Sequence, residues 1–361
     1  MKLFKSLLVA PATLGLLAPM AATANEVTIN DFNAAEEIAV TNSRVDGIEA
    51  RLNNFEAGGF SQTTVASFSV DTVIGAIDGD AASETTSFDY QFNIGLSTSF
   101  TGEDSLDIAI DNGNATQSPM ATVMGFDGGT DDSPLKVDGV TYSFPVGGAS
   151  MIVGDSTDLS AAFTGACTYS AFTDATPDDC GTGNSIGAGG KGVTAAMSYA
   201  FDSGFSLAGG ITSGQGEILG DDADAIGLNA AYSADNYGVA VAYVSDDNGT
   251  GNEITTWGFN GYYTFDLASL SVGFETQEGA TGTDSSGYFV GLSFPEVGPG
   301  SVNVAAATTA LYADADPEYL TYEASYSYPV NDSMTITPGV FIQEGATTDE
   351  TGVAIKTSFS F

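Results

Sequence analysis

The chain has 361 residues and sets 47 Asp and Glu against seven Lys and Arg and no His, a formal charge of −40 at neutral pH. That balance excludes nucleic acid as a partner, since neutralising phosphates takes basic side chains, and the missing imidazoles exclude a Ser-His-Asp triad and a histidine metal site. Aromatic residues at 11% and 45 glycines also separate the chain from disordered acidic sequences, which lack bulky apolar groups.

Lys2 and Lys5 precede an apolar run from Leu7 to about Leu17, and Ala22-Thr23-Ala24 supplies the small residues of a signal-peptidase site. Residues 1–24 are therefore expected to be a removed secretory signal. A membrane anchor is the alternative, but Pro11, Gly15 and Pro19 break a run well short of the ~20 apolar residues a helical span needs. Residues 25–59 are expected to form a short periplasmic helix. Ile38, Val45, Ile48, Leu52 and Phe55 lie at heptad-like spacing with Thr41 in the gap, and Glu36, Glu37, Arg44, Asp46, Glu49, Arg51 and Glu56 occupy the other faces. Two readings stay open: a parallel coiled coil that brings copies together, or a single amphipathic helix that Gly47 weakens by about 1 kcal/mol.

From Phe60 the hydrophobic period changes to two. Phe88, Tyr90, Phe92, Ile94 and Leu96 share one face of a strand, and Asp89, Gln91, Asn93, Gly95 and Ser97 share the other. Equivalent strands are expected at about 64–77, 86–100, 104–112, 135–146, 149–154, 192–201, 204–212, 223–234, 237–245, 253–265, 267–276, 285–294, 300–310, 319–329, 333–343 and 351–361. Short turns such as Gly147-Gly148 and Asp202-Ser203 alternate with long loops rich in Gly, Asp, Thr and Ser, as in outer-membrane barrels. Tyr142, Phe144, Tyr199, Phe201, Tyr262, Tyr263, Phe265, Tyr326 and Tyr328 gather near strand ends, where interfacial girdles sit.

The polar phase carries Ser, Thr, Asn, Gly and Asp rather than the Lys, Arg and Glu of a soluble sandwich. Residues 60–361 are accordingly read as all-β, a transmembrane antiparallel β-barrel of about sixteen strands that leaves an aqueous channel. On its lumen phase fall Asp71, Asp89, Asp107, Glu275 and Glu323, with Lys356 as the only cation on a well-defined strand. Acidic rings of this kind favour cations.

Cys167 and Cys180, the two cysteines, lie in the longest loop, Asp155 to Lys191. In an exported chain they read as a disulfide worth about 3 kcal/mol, with independent thiols as the alternative. The loop is expected to enter the lumen and narrow it with Asp155, Asp158, Asp174, Asp178 and Asp179, and Lys191 ends it. Tyr169 and Phe172 in the loop, with Tyr262 and Tyr319, are candidates for an aromatic sugar track. Asp246-Asp247-Asn248-Gly249 up to Glu253 matches a calcium loop only loosely, because its spacing is not that of an EF-hand. No cofactor or enzyme activity is expected.

Arg44-Val45-Asp46-Gly47-Ile48-Glu49-Ala50-Arg51-Leu52 followed by Phe60-Ser61-Gln62-Thr63-Thr64 resembles the periplasmic helix and first strand of cyanobacterial outer-membrane porins. These are the carbohydrate-selective (OprB-like) porins, many also labelled iron uptake porins. Thr98 to Asp104, Thr141 to Gly147 and the closing strand are similar to the same family. The resemblance implies a homotrimeric porin in outer-membrane lipid, passing small ions or sugars. It also implies that Phe359 and Phe361 form the signal read by the outer-membrane assembly machinery. The S-layer-homology domain usual in that family has no room between residues 25 and 59, so wall binding is not expected. An exported soluble adhesin remains the competing class.

Overall fold

The computed structural model describes residues 64–79, 86–114, 118–126, 134–174, 178–186, 192–214, 224–247, 253–279, 284–313 and 316–361. The expected signal and periplasmic helix lie outside the described residues, as do Lys191 and the side chain of Asp178.

The strands are β1 (Thr64–Asp78), β2 (Ser87–Thr98), β3 (Ser105–Gly113), β4 (Lys136–Val146), β5 (Ala149–Thr157), β6 (Gly192–Ala200), β7 (Phe205–Ser213), β8 (Asp224–Ser233), β9 (Tyr237–Asp246), β10 (Ile254–Thr264), β11 (Ser269–Glu278), β12 (Asp284–Val297), β13 (Gly300–Thr308), β14 (Tyr312–Ala313), β15 (Leu320–Asn331), β16 (Met334–Gln343) and β17 (Glu350–Ser360). Each barrel strand pairs antiparallel with its neighbours in chain order, and β17 closes on β1 from Ser69↔Ser360 to Asp78↔Thr351. The two-residue β14 pairs with β12 alone, whereas β13 pairs directly with β15. The barrel wall is therefore sixteen-stranded, and the expected strands all fall on observed ones.

Alternation sorts the side chains by solvent. On β17, Val353 and Ile355 are 58% and 44% exposed on the outside, whereas Gly352 and Ala354 face inward and are buried. Phe88, Leu228, Phe259 and Val340 repeat the outward apolar pattern on other strands. Closure gives every spanning strand two ladder partners, which a hydrocarbon surround demands. Among the described residues no helix is long and apolar enough to cross a membrane.

One rim carries the tight turns. Gly147 sits at φ 64° in the two-residue link between β4 and β5, and Gly204 at φ 88° between β6 and β7. That left-handed region suits glycine, which has no Cβ to clash. Aromatic pairs mark this rim: Tyr142 with Phe144, Tyr199 with Phe201, and Tyr263 with Phe265. Tyr262 departs from the expected girdle. Its neighbours in the ladder put it on the inward phase, where it packs against the buried Ala231–Ala240 cluster.

The opposite rim sends two segments into the barrel. A short helix, α1 (Pro119–Val123), is capped by the Ser118 hydroxyl and packs Met120 and Ala121 on Val73 and Ile77 of β1. Among the described residues, the segment after β5 holds a 3₁₀ turn (Leu159–Ala161), a turn at Asp178–Gly181 and helix α2 (Gly183–Ile186).

Candidate functional site

The loop between β5 and β6 lies against the inner wall and follows it from strand to strand. Leu159 is fully buried with Ala196, Ala225 and Val244. Next, the Thr164 amide donates to Asn229 Oδ1 at 2.8 Å, and Asn229 Nδ2 donates back to the Thr164 carbonyl at 3.2 Å. The Ala166 amide donates to Asn260 Oδ1 at 2.8 Å, and the Thr168 amide to Ser271 Oγ at 3.1 Å. Inward side chains of β8, β10 and β11 thus satisfy loop amides that would otherwise be buried without partners.

Farther round, two carboxylates take over. The Phe172 amide and the Tyr169 hydroxyl donate to Glu323 Oε1, each at 2.8 Å. The Thr173 amide and hydroxyl donate to Glu323 Oε2 at 3.0 and 2.7 Å. Glu275 accepts from the Ser185 amide and Asn184 Nδ2, both at 2.7 Å. Burial, followed by the charge of Glu323 beside it, pushes the Tyr169 phenol upward, so the hydroxyl stays protonated and donates.

Cys167 and Cys180 are joined by a disulfide. Asp179 and Cys180 both adopt left-handed backbone, at φ 50° and 58°, a conformation uncommon outside glycine. The cross-link and a 3.0 Å bond from Asn260 Nδ2 to the Asp179 carbonyl hold this turn. The wall beneath it is shaved flat. A methyl added at Gly273 would overlap the Cys180 carbonyl, and one at Gly339 would enter the Phe172 ring.

These contacts relocate several residues expected to line water. Asp89, Glu275 and Glu323 do face inward, but each is buried under a loop segment; Asp89 accepts from Ser87 and from the Ser118 cap at 2.8 and 2.6 Å. Asp155 belongs to β5, not to the loop. It pairs with Val140, whose side chain faces outward; β5 runs three residues past its expected end, to Thr157, through a register shift between Gly154 and Thr157. Asp174 is tied to the α1 segment, its amide donating to the Val123 carbonyl at 2.7 Å. The Asp179 side chain is exposed near Gly165. Phe172 is buried and Tyr169 packs edge-on against Phe289, so neither loop aromatic offers a sugar-stacking face. Tyr319 lies in a separate cleft beside Thr309 and Glu344.

Part of the inner wall from β1 to β5 is open to water. A cleft of about 340 Å³ there is lined by Ser67, Ser97, Asp107, Thr141, Asp158 and Ser160, among others. Asp158 caps the 3₁₀ turn through the Ser160 amide at 2.8 Å, and Asp107 accepts from Ser105 at 2.9 Å. Asp71 accepts from Ser358 at 2.5 Å. Lys356 stands in register with Val73 and Thr337. It is not the sole cation on a strand, since Lys136 pairs across from Asp111 on the same inward phase. Sequence reasoning missed Lys136, Asp111, Asn229, Asn260 and Ser271. For the three wall anchors, a small polar residue at mid-strand on the inward phase is the signal that was available.

Phe361 closes the seam. Phe68 and Phe361 exchange two backbone hydrogen bonds, at 2.9 and 3.0 Å, and their rings stack 5.8 Å apart on the outside. Phe359 pairs with Val70 and Met334 beside them.

OprB of Pseudomonas putida, in its high-pH structure, superposes with a TM-score of 0.65 at 11% identity, covering 83% of this chain and 94% of that one. A mutant porin of Rh. blastica gives 0.55 at 14% identity, covering 82% and 100%. At such identities the likeness concerns the fold. An uncharacterized protein of Nostoc sp. is 34% identical over 159 residues, 39% of this chain, and the match spans only 27% of that relative's length. The profile of the Gram-negative porins matches residues 136–344, more than half of the chain. An apolar exterior, a closed sixteen-stranded wall and that match together establish that the chain belongs to the Gram-negative porin family and resides in the outer membrane.

Proposed function

We propose that the barrel is a water-filled channel for passive diffusion of small hydrophilic solutes, with a preference for inorganic cations, iron among them. The open β1–β5 arc carries this reading. It carries the exposed or half-exposed carboxylates Asp71, Asp107, Asp111 and Asp158 against one lysine, Lys136 opposite Asp111, with Lys356 on the adjoining β17. Fixed negative charge raises the local concentration of cations, and a narrow low-dielectric passage strengthens the effect. Homotrimer assembly, and recognition of Phe359 and Phe361 by the assembly machinery, belong to the same reading.

Passage of sugars through the same channel is the second reading. It draws on the hydroxyl-rich cleft of Ser67, Ser97, Thr141 and Ser160, although the expected aromatic partners in the loop are turned into the wall. Reversal potentials across a planar bilayer under a salt gradient test the first reading: cation preference is expected, and anion preference overturns it. Swelling of protein-loaded liposomes in disaccharide against KCl separates the two.

A further inference from the structure

We propose that Glu323 and Glu275 are loop-positioning residues: they clamp the disulfide-closed loop to the wall, set the bore of the channel, and leave charge selection to the β1–β5 arc. The inference rests on the channel reading above for its conductance readout, and on the fold alone for its second readout.

Three observations converge. The carboxylates are 4% and 1% exposed, so neither presents its charge to a permeating ion. Their oxygens are occupied by loop donors, four on Glu323 and two on Glu275. Their placement brackets Cys180: Glu323 on β15 holds Tyr169 to Thr173, inside the ring that the Cys167–Cys180 bond closes, Glu275 on β11 holds Asn184 and Ser185 just past it, and Cys180 lies over Gly273. The loop is thereby pinned once inside the disulfide-closed ring and once beyond it.

The chemistry explains why carboxylates stand at these two points. A carboxylate accepting N–H and O–H donors forms charge-assisted bonds, roughly twice as strong as neutral ones. Asn229 and Asn260 hold the first part of the loop with neutral bonds, one amide or carbonyl at a time. At Glu323 a single side chain must satisfy two consecutive amides and two hydroxyls, which only an ionised carboxylate can do while donating nothing.

The test is Glu323→Gln, alone and with Glu275→Gln, in the full barrel refolded in detergent, with assembly checked by heat-modifiable gel mobility. The Gln amide turns a donor toward the Thr173 donors, which shifts the docked-to-released ratio of the loop by about tenfold. Single-channel records are expected to show larger or more frequent high-conductance states with the reversal potential unchanged, and proteolysis within residues 158–191 should quicken by about tenfold. An Asp107→Asn barrel should do the reverse, moving the reversal potential. A changed reversal potential in Glu323→Gln at unaltered conductance overturns the proposal, because it makes Glu323 a pore charge. Failure of Glu323→Gln to assemble also overturns it, because the residue then builds the barrel instead of placing the loop. A wild-type barrel that does not conduct sinks the channel reading alone, and the protease rates still decide this one.

Discussion

The two halves of the inner wall solve different problems with the same strand alternation. From β8 to β16 the long loop lies against the inward phase, and the residues it meets are those a second layer requires: glycines where backbone lies on backbone, Asn and Ser that match amides, and two buried Glu. From β1 to β5 much of the inward phase meets water, and Ser, Thr and Asp suffice there without close fit. Inward polarity therefore has two meanings in this barrel. A buried inward carboxylate is a structural acceptor, and an exposed one is a charge that a permeant senses.

The comparison breaks most severely if the covered arc is roughened. Gly273→Val would drive its side chain into the Cys180 carbonyl. Overpacking of this kind costs about 1–3 kcal/mol, and here relief comes by expelling the loop. We expect the barrel to assemble, the segment 158–191 to become protease-sensitive, and single-channel conductance to rise. The same substitution at Gly95 on β2, on the open arc, should change far less, because its Cβ would meet only the flexible Ser67 hydroxymethyl closely. Equal sensitivity at the two glycines would erase the distinction between the arcs.

Next in size is the staple. Cys167→Ser with Cys180→Ser removes a constraint worth about 3 kcal/mol in the chain-entropy account, but the Glu323 and Glu275 clamps remain. The expected result is a loop that stays docked at rest and releases at lower denaturant, seen as earlier onset of proteolysis than of barrel unfolding. Unchanged conductance, gating and loop release would show that the wall contacts alone suffice.

A smaller effect is expected from charge on the open arc. Asp107→Asn with Asp111→Asn should lower the cation-to-anion permeability ratio by about twofold per charge, since an exposed charge a few ångströms from an ion is worth about 1 kcal/mol or less in water. Raising salt should erase the difference as the Debye length falls below ~10 Å.

How much of this was legible in the residues follows from the same contrast. Period-two alternation is a local property, so all sixteen wall strands and the outward face could be read directly. The disulfide was readable because two cysteines in an exported chain leave one pairing. The burial of Glu275, Glu323 and Asp89 was not, because it depends on where a distant loop comes to rest. Tyr169 reaches Glu323 across more than a hundred and fifty residues, and nothing near either position announces the contact. Asp155 was misplaced for the opposite reason: the strand outlasted its apolar pattern by three residues, carried across a register shift between Gly154 and Thr157 that the ladder, not the sequence period, defines.

The smallest effect should come from the rim of the open arc, which has no loop behind it and depends on its own turns. In the β2–β3 turn, Asp104 Oδ1 accepts from the Phe100 and Thr101 amides at 2.9 and 2.7 Å and from the Ser99 and Thr101 hydroxyls, while Oδ2 accepts from Tyr142 at 2.8 Å. The backbone bond from Thr101 leads in holding this carboxyl well below its ordinary 3.8, because every donor favours the charged form. A depressed folded-state value means that the contribution is fully present above the unfolded value near 4 and is lost as pH falls through the folded value. Acidification should therefore leave the turn intact at pH 5 and weaken it progressively below about 4. Asp104→Asn should flatten that part of the profile, since the amide does not titrate. Thermal unfolding of the two barrels at pH 7 and pH 3 gives the measurement: the variant's deficit should shrink at the lower pH. A deficit that is constant with pH would mean that shape, not charge, holds this rim.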